Sequence, residues 1–299
     1  VIGAGGLGCE LLKNLAYSGF RNIDIIDNDH IELTNLNRQF LFREKDIGKS
    51  KAETAAAAVL QKKKGITITP HNCKIQEKSM EYYSQFQIII AGLDNIEARR
   101  WINSVIHCLV EFDDEGKPKP ETCRALIDGG TEGLRGQARV IIPYTTACFE
   151  CTLDTIPPQT KFQICTIASN PRLPEHCIEY VFLFEWEKTF PNSKFDDENE
   201  ENVIWLLEKA KEYASHHKIE GVSRELLLGV IKNIIPAVAS TNALIAAACV
   251  NEAFKIMTGC APRLENNFMF MGQTGIYTQT FAYEKKLDCI VCEIKNKKI

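Results

Sequence analysis

The chain begins with a glycine-rich stretch, VIGAGGLG at residues 1–8, that is followed by leucines at helical spacing. Gly3, Gly5 and Gly8 match the G-x-G-x-x-G spacing, and Gly6 lies between them. Glycines at these positions allow a tight turn, close approach of backbone N–H groups to phosphate, and close packing of a helix on a strand. This stretch predicts a phosphate-binding turn between a first strand and a first helix.

A second strand with a terminal carboxylate supports this interpretation. The segment NIDIID at 22–27 reads as a second strand that ends in the carboxylate of Asp27. Asp27 lies about twenty residues beyond the glycines, where an acidic side chain commonly binds ribose hydroxyls. A glycine triplet alone would be weak evidence. The order of strand, turn, helix, strand and carboxylate predicts nucleotide binding, with Asp27 at the ribose.

The next polar residues favour ATP over a dinucleotide. Arg38 and Lys51 could neutralise a triphosphate, Arg as a bidentate fork and Lys as a point charge, although either residue alone reads as an ordinary surface cation. Asp94 is predicted to end the apolar strand 88–94, on the side of an α/β sheet where ligands bind, and could hold Mg²⁺. Arg38, Lys51 and Asp94 are therefore the predicted nucleotide contacts beside the glycines and Asp27, and Asp29, Asn35 and Gln39 lie in the same polar stretch.

The composition excludes several classes of protein. The formal net charge of −4 gives no electrostatic reason to expect nucleic-acid binding. The longest apolar stretch, 234–257, is interrupted by polar and charged residues and predicts a buried helix, not a membrane span. The spacing of the twelve cysteines points to metal and thiol chemistry in a reducing compartment rather than to a disulfide framework.

The order of elements predicts an α/β fold with two domains. Strands and helices alternate up to about residue 128, which predicts a doubly wound, mostly parallel sheet. This rhythm is lost from about 155 to 232. We therefore expect one domain from 1–154 and 233–299, and an inserted, mainly helical domain at 155–232.

Two C-x-x-C pairs predict a metal site. Cys148 with Cys151, and Cys289 with Cys292, can supply four thiolates to a tetrahedral Zn²⁺. All four positions would be filled by protein, so this zinc would be structural. The alternative is four unrelated thiols.

Cys165 stands apart from these pairs. A buried, inert thiol is the usual fate of a single cysteine, and on chemistry alone a nucleophilic role for Cys165 stays open. Arg172 could lower its pKa, but sequence cannot establish that geometry. His176 and Cys177 are expected to be structural or secondary.

With these motifs laid out, the whole chain resembles the catalytic subunits of heterodimeric activating enzymes for ubiquitin-like modifiers, of the neddylation (Rub-modifier) type. The features that carry the resemblance are the glycine turn, NLNRQF at 35–40, the two C-x-x-C pairs and CTIASNPRLPEHCIEY at 165–180. The sumoylation counterpart keeps only the CTI opening of the last segment. The resemblance implies a Rossmann-like adenylation domain of the ThiF/MoeB type.

The resemblance also assigns roles to individual residues. It implies that Asp27 holds the ATP ribose and that Asp94 binds Mg²⁺. The residues that it implies around the phosphates are Asp29, Asn35, Arg38, Gln39 and Lys51, with Arg38 and Lys51 as catalytic cations. It also implies a thioester nucleophile at Cys165. Arg139 matches an arginine that discriminates against the tail of ubiquitin. The segment 152–164 would cross over the modifier's C-terminal tail.

The expected partners are a pseudosymmetric regulatory subunit, a ubiquitin-like modifier and a conjugating enzyme, in the cytoplasm or nucleus. The family's C-terminal ubiquitin-fold domain is not found within the chain. Three alternatives remain: a sumoylation-type subunit, an NAD-dependent oxidoreductase that shares the glycine turn, and a non-catalytic scaffold subunit of the same fold.

Overall fold

The computed structural model describes residues 1–155, 171, 173–191, 193, 195–231, 237–261 and 263–293. The chain divides into two compact units, Val1–Ile156 with Ala237–Ile299, and Pro157–Pro236. These divisions lie close to the boundaries expected from the sequence. The roles of the two units in the reaction stay predictions.

The first unit is built on a sheet with parallel and antiparallel parts. Its strands are β1 Asn22–Ile26, β2 Thr67–His71, β3 Ile88–Ala91, β4 Ala125–Glu132, β5 Arg135–Ile141, β6 Asn267–Met271 and β7 Tyr277–Phe281. Its helices are α1 Gly6–Tyr17, α2 Lys51–Lys62, α3 Met80–Ser84, α4 Ile96–Cys108 and, after the second unit, α9 Ala239–Thr258.

The strand order confirms the parallel sheet and adds an antiparallel extension. β1 pairs with β2, and β3 with β4, in parallel, and Ile2 bridges Ile26 and Ala91 to join the two pairs. From β4 the sheet continues antiparallel through β5, β6 and β7. The sequence pattern did not predict β6 or β7. Most of β7 is exposed, so no apolar alternation marks it.

Helices cover both faces of this sheet, as a doubly wound fold requires. Successive strand residues point to opposite faces. Ile90 and Ile127 accordingly join one buried cluster with α1, α2 and α9, whereas Ile89 and Leu126 join another with α3 and α4. The apolar segments that the sequence predicts as strands are therefore buried on both faces of the sheet.

The second unit is helical where the structure describes it. It contains α5 Pro174–Tyr180, a π-helical turn Val181–Glu185, α6 Trp186–Thr189, α7 Glu200–His216 and α8 Arg224–Ile231. Its core includes Trp186, Leu206 and Leu227. Among the described residues of the whole chain, no helix combines the length and the apolar character that crossing a bilayer requires.

Candidate nucleotide site and cysteine cluster

The glycine turn connects Ile2, which lies between β1 and β3 in the sheet, to α1. The Gly3 N–H donates to the Ile26 carbonyl over 2.8 Å, and Gly3 adopts a φ of +92°. A Cβ on Gly8 would lie 2.0 Å from the Gly3 carbonyl oxygen, so a side chain cannot fit there. Gly5 is the N-cap of α1 and gives it no side-chain cap, which leaves first-turn N–H groups for an anion. This cradle fits a phosphate group.

Asp27 closes the turn from the end of β1. Its two oxygens accept the N–H groups of Ala4 and Asp29 over 2.6 and 2.7 Å. Burial raises the pKa of this carboxyl although both N–H donors oppose that shift. Asp27 is therefore a desolvated acceptor directly beside the glycine turn.

Lys51 reaches this edge from the first residue of α2. Its side chain is only 11% exposed, and its Nζ lies 2.8 Å from Asp29 Oδ2. Its backbone N–H also donates to the Asp29 carbonyl over 3.0 Å. The predicted cation is thus held at the loop that follows Asp27, with Asp29 as its counter-ion.

Three further predicted contacts lie in the segment after β1. Asn35 is buried and accepts the Glu32 N–H over 3.0 Å, so it shapes the segment itself. Arg38 donates to the Thr34 carbonyl over 3.0 Å, and its Cγ would lie 3.4 Å from a Cβ on Gly6. Gln39 is buried, and its Oε1 lacks a partner among the described residues. The Arg38 stem therefore lies against the glycine turn.

Asp94 is exposed in the loop between β3 and α4. The predicted strand 88–94 was too long: β3 ends at Ala91, the last of its residues that pairs with β4. Asn95 caps α4 by accepting the Ala98 N–H, and it donates to Asp94 Oδ1 over 3.2 Å. Because Ile2 lies between β1 and β3 and pairs with both in parallel, the loops that carry Asp27 and Asp94 leave the sheet at the same edge.

Cys148, Cys151, Cys289 and Cys292 form one buried cluster in which all sulfur atoms lie within 4.8 Å of one another. Four sulfurs about 2.3 Å from a tetrahedral Zn²⁺ lie about 3.8 Å apart. The Cys148–Cys151 distance is 3.8 Å and the Cys148–Cys289 distance is 3.6 Å. The donor set and spacing fit zinc.

The protonation of the cluster also suits a metal ligand set. Hydrogen bonding to Cys292 holds the pKa of the Cys148 thiol well below its ordinary value. The same contact raises the pKa of Cys292. Binding of a cation would favour the thiolate form of all four cysteines.

Arg139, the residue predicted to select the modifier, lies in β5. Arg139 is 1% exposed, donates to the Thr152 hydroxyl, and lies 5.2 Å from the Tyr283 ring centre. Burial lowers the pKa of its guanidinium. Cys165 and Arg172 lie outside the described residues. The selectivity role of Arg139 and the nucleophilic role of Cys165 stay predictions.

The sequence analysis missed two contacts, one beside the glycine turn and one in the loop that carries Asp94. Asn242 of α9 accepts the Thr131 hydroxyl over 2.6 Å, and its amide nitrogen lies where a Cβ of Gly6 would be. Arg99 of α4 bonds the loop that carries Asp94. The Thr131–Asn242 contact joins residues 111 positions apart, and no local pattern marks either contact.

Comparison with known proteins agrees with this geometry. The ThiF family matches residues 1–291. A NEDD8-activating enzyme E1 catalytic subunit from Dictyostelium discoideum is 57% identical over 98% of this chain, which spans 67% of that relative. A SUMO-activating enzyme subunit 2 from the same organism is 46% identical over only 60% of this chain.

Solved structures carry the fold comparison further. E. coli MccB, crystallised with ATP, has a TM-score of 0.56 at 19% identity and covers 97% of this chain, which covers 64% of MccB. At this identity the likeness shows the fold alone. The family model matches nearly the whole chain, and the Dictyostelium discoideum relative matches 98% of it. The chain therefore belongs to the ThiF family and, within it, to the NEDD8-activating enzyme E1 catalytic subunits.

Proposed function

We propose that this chain activates a NEDD8-type ubiquitin-like modifier in two steps, adenylation of the modifier's C-terminal glycine and thioester formation on Cys165. The observation that carries the first step is the assembly of the glycine turn, Asp27 and Lys51 at one sheet edge. The second step rests on the resemblance of the segment 165–180 to the family.

In the first step the modifier's carboxylate oxygen attacks the α-phosphorus of ATP, and the bond to pyrophosphate breaks. The glycine turn and α1 would cradle phosphate, and Asp27 would accept ribose hydroxyls. Arg38 and Lys51 would stabilise the negative charge that develops on the phosphates. Asp94 would hold Mg²⁺, which neutralises phosphate charge when bound.

In the second step the Cys165 thiolate attacks the carbonyl of the acyl-adenylate, and AMP leaves. A carbon–sulfur bond replaces the mixed anhydride, so no oxidant is needed. We assign this step to the unit Pro157–Pro236, which contains Cys165. The charged modifier would then pass to a conjugating enzyme.

The cysteine cluster would hold a structural Zn²⁺. Its four ligands are protein thiols, so the cation would have no open position for a substrate. It would join the segment after β5 to the segment after β7. The eleven cysteines among the described residues are free thiols, which suits the cytoplasm or nucleus.

The proposed partners are a regulatory subunit, the modifier and a conjugating enzyme. Arg139 would select the modifier. Its hydrogen bond to Thr152, the first residue of the predicted crossover segment 152–164, supports this role. The sumoylation-type alternative is less well supported, because that relative matches a smaller part of the chain at lower identity.

The test is to mix the chain with a regulatory subunit, MgATP and a panel of NEDD8-, SUMO- and ubiquitin-type modifiers. We expect a reductant-sensitive adduct with the NEDD8 type. An adduct with the SUMO type alone would favour the sumoylation alternative. NADH fluorescence that saturates with added chain would favour the oxidoreductase alternative.

A further inference from the structure

Arg99 forms a three-point clamp beneath the loop that carries Asp94. Its Nε donates to Asp128 Oδ1 over 2.9 Å, and its terminal nitrogen donates to the carbonyls of Leu93 and Gly129 over 2.6 and 3.1 Å. The Arg99 side chain is 15% exposed and that of Asp128 is 2% exposed. The guanidinium thus ties α4 and the β3–α4 loop to the middle of β4.

The clamp acts on the residue immediately before Asp94. The loop leaves β3 where the Gly92 N–H donates to the Ile2 carbonyl. Arg99 holds the next carbonyl, that of Leu93, and Asn95 holds a carboxylate oxygen of Asp94 itself. The backbone on the N-terminal side of Asp94 is therefore bonded at two consecutive residues.

We propose that Arg99 is a positioning residue that sets the direction of the Asp94 carboxylate for a nucleotide-bound divalent cation. The inference rests on the proposed function and deepens it by adding a residue that touches neither nucleotide nor metal. A planar guanidinium can reach three acceptors in fixed directions, whereas a lysine ammonium cannot match that fork. Arg99→Lys therefore keeps the charge that compensates Asp128 and loses the geometry.

Arg100 provides a matched control on the same helix. It is exposed and forms a two-point ion pair with Glu150, its Nε and terminal nitrogen lying 2.9 and 2.7 Å from the two carboxylate oxygens. Arg100→Lys changes the same functional group by the same amount but does not touch the Asp94 loop.

The experiment is equilibrium binding of a fluorescent ATP analogue to the full chain in complex with its regulatory subunit, titrated with Mg²⁺ and repeated in EDTA. In Arg99→Lys we expect the half-saturating Mg²⁺ concentration to rise about tenfold, as for loss of one charge-assisted hydrogen bond. Metal-free affinity should stay within about twofold, and Arg100→Lys should match wild type.

Asp128→Asn is the second variant, because it removes the negative charge that pairs with Arg99 without altering Arg99 itself. It should raise the half-saturating Mg²⁺ concentration in the same direction. Variants that melt like wild type and show wild-type Mg²⁺ dependence would overturn the proposal. An equal loss of affinity with Mg²⁺ and in EDTA would also overturn it, since that marks a general structural defect.

Asp94→Asn separates this inference from the proposed function. It should abolish the gain in nucleotide affinity that Mg²⁺ provides. If that gain survives in Asp94→Asn, the assignment of Asp94 to the metal is wrong, whatever the Arg99 variants do. If it is lost there and unchanged in Arg99→Lys, only the positioning role of Arg99 fails.

Discussion

The sulfur atoms of Cys151 and Cys292 lie 3.3 Å apart, although 141 positions separate the two residues in the chain. Cys151 lies in the turn Glu150–Thr155, whereas Cys292 lies beyond the last strand. A contact between such distant segments constrains the chain more than any local hydrogen bond. The cysteine cluster therefore allows a test of the proposed zinc site that needs no substrate.

Removing zinc should destabilise the first unit. The proposed zinc would bind only the folded cluster, so we expect its removal to cost at least about 2.7 kcal/mol when free zinc exceeds the dissociation constant a hundredfold. Thermal unfolding with and without a chelator measures this loss. Cys292→Ser should melt early and ignore the chelator, while Cys260→Ser, at an exposed cysteine, should behave as wild type. A chelator without effect on wild type would exclude a structural metal.

Gly8→Ala should abolish nucleotide binding. The added Cβ would lie 2.0 Å from the Gly3 carbonyl oxygen, so the glycine turn must open. Gly229→Ala in α8 is the control, because its Cβ would meet open space and helix propensity favours alanine. Isothermal titration with ATP measures both variants. Wild-type affinity in Gly8→Ala would contradict the phosphate cradle.

Asp27 should make stability depend on pH in an unusual direction. Its pKa is raised from 3.8 by burial, so the folded state holds this proton more tightly than the unfolded state. The stability of wild type relative to Asp27→Asn should therefore fall as pH rises above 3.8, and level off above the raised pKa. Asp27→Asn also loses one acceptor for a backbone N–H group. That loss is the same at every pH, so it does not alter the pH dependence of the difference in stability.

Denaturant unfolding of both proteins across this pH range provides the measurement. Saturating ATP should reduce the decline, because ribose hydroxyls that donate to Asp27 favour its charged form. A relative stability that rises with pH would mean that the two N–H donors outweigh burial.

Lys51→Met should impair adenylation far more than stability. Its partner Asp29 is 57% exposed, so an unpaired Asp29 stays solvated and stability should change by less than about 1 kcal/mol. Loss of one preorganised cationic donor should slow modifier-dependent ATP–pyrophosphate exchange by about 100-fold. Lys49→Met is the control, since Lys49 pairs with Asp46 and is 57% exposed. Equal exchange rates in the two variants would remove Lys51 from the phosphate site.

The sequence predicted where Asp27 and Lys51 lie in the fold, because one follows a strand and the other begins a helix. Asp27 follows β1, and Lys51 begins the alanine-rich helix α2. Their contact with a nucleotide stays a prediction. The cysteine cluster was also predictable from the sequence, because two C-x-x-C pairs can supply four thiolate ligands to one metal ion. These features depend on short-range patterns.

Two of the contacts that the sequence analysis missed are long-range. Arg99 meets Asp128 at a separation of 29 positions, and Thr131 meets Asn242 at 111. Periodicity shows which face of α4 is buried but not which carbonyl a buried arginine will reach. Asp94 was read as a strand end because Gly92 and Leu93 continue the apolar run, whereas pairing stops at Ala91.

The central claim is that ATP first activates the modifier and Cys165 then captures it. The direct measurement compares wild type, Cys165→Ala and Cys177→Ala, each with regulatory subunit, MgATP and NEDD8-type modifier. Cys177 is a buried thiol in the same unit and serves as the control. Cys165→Ala should retain modifier-dependent ATP–pyrophosphate exchange and form no reductant-sensitive adduct, while Cys177→Ala should form it. A reductant-sensitive adduct on Cys165→Ala, or exchange that does not require the modifier, would contradict the account.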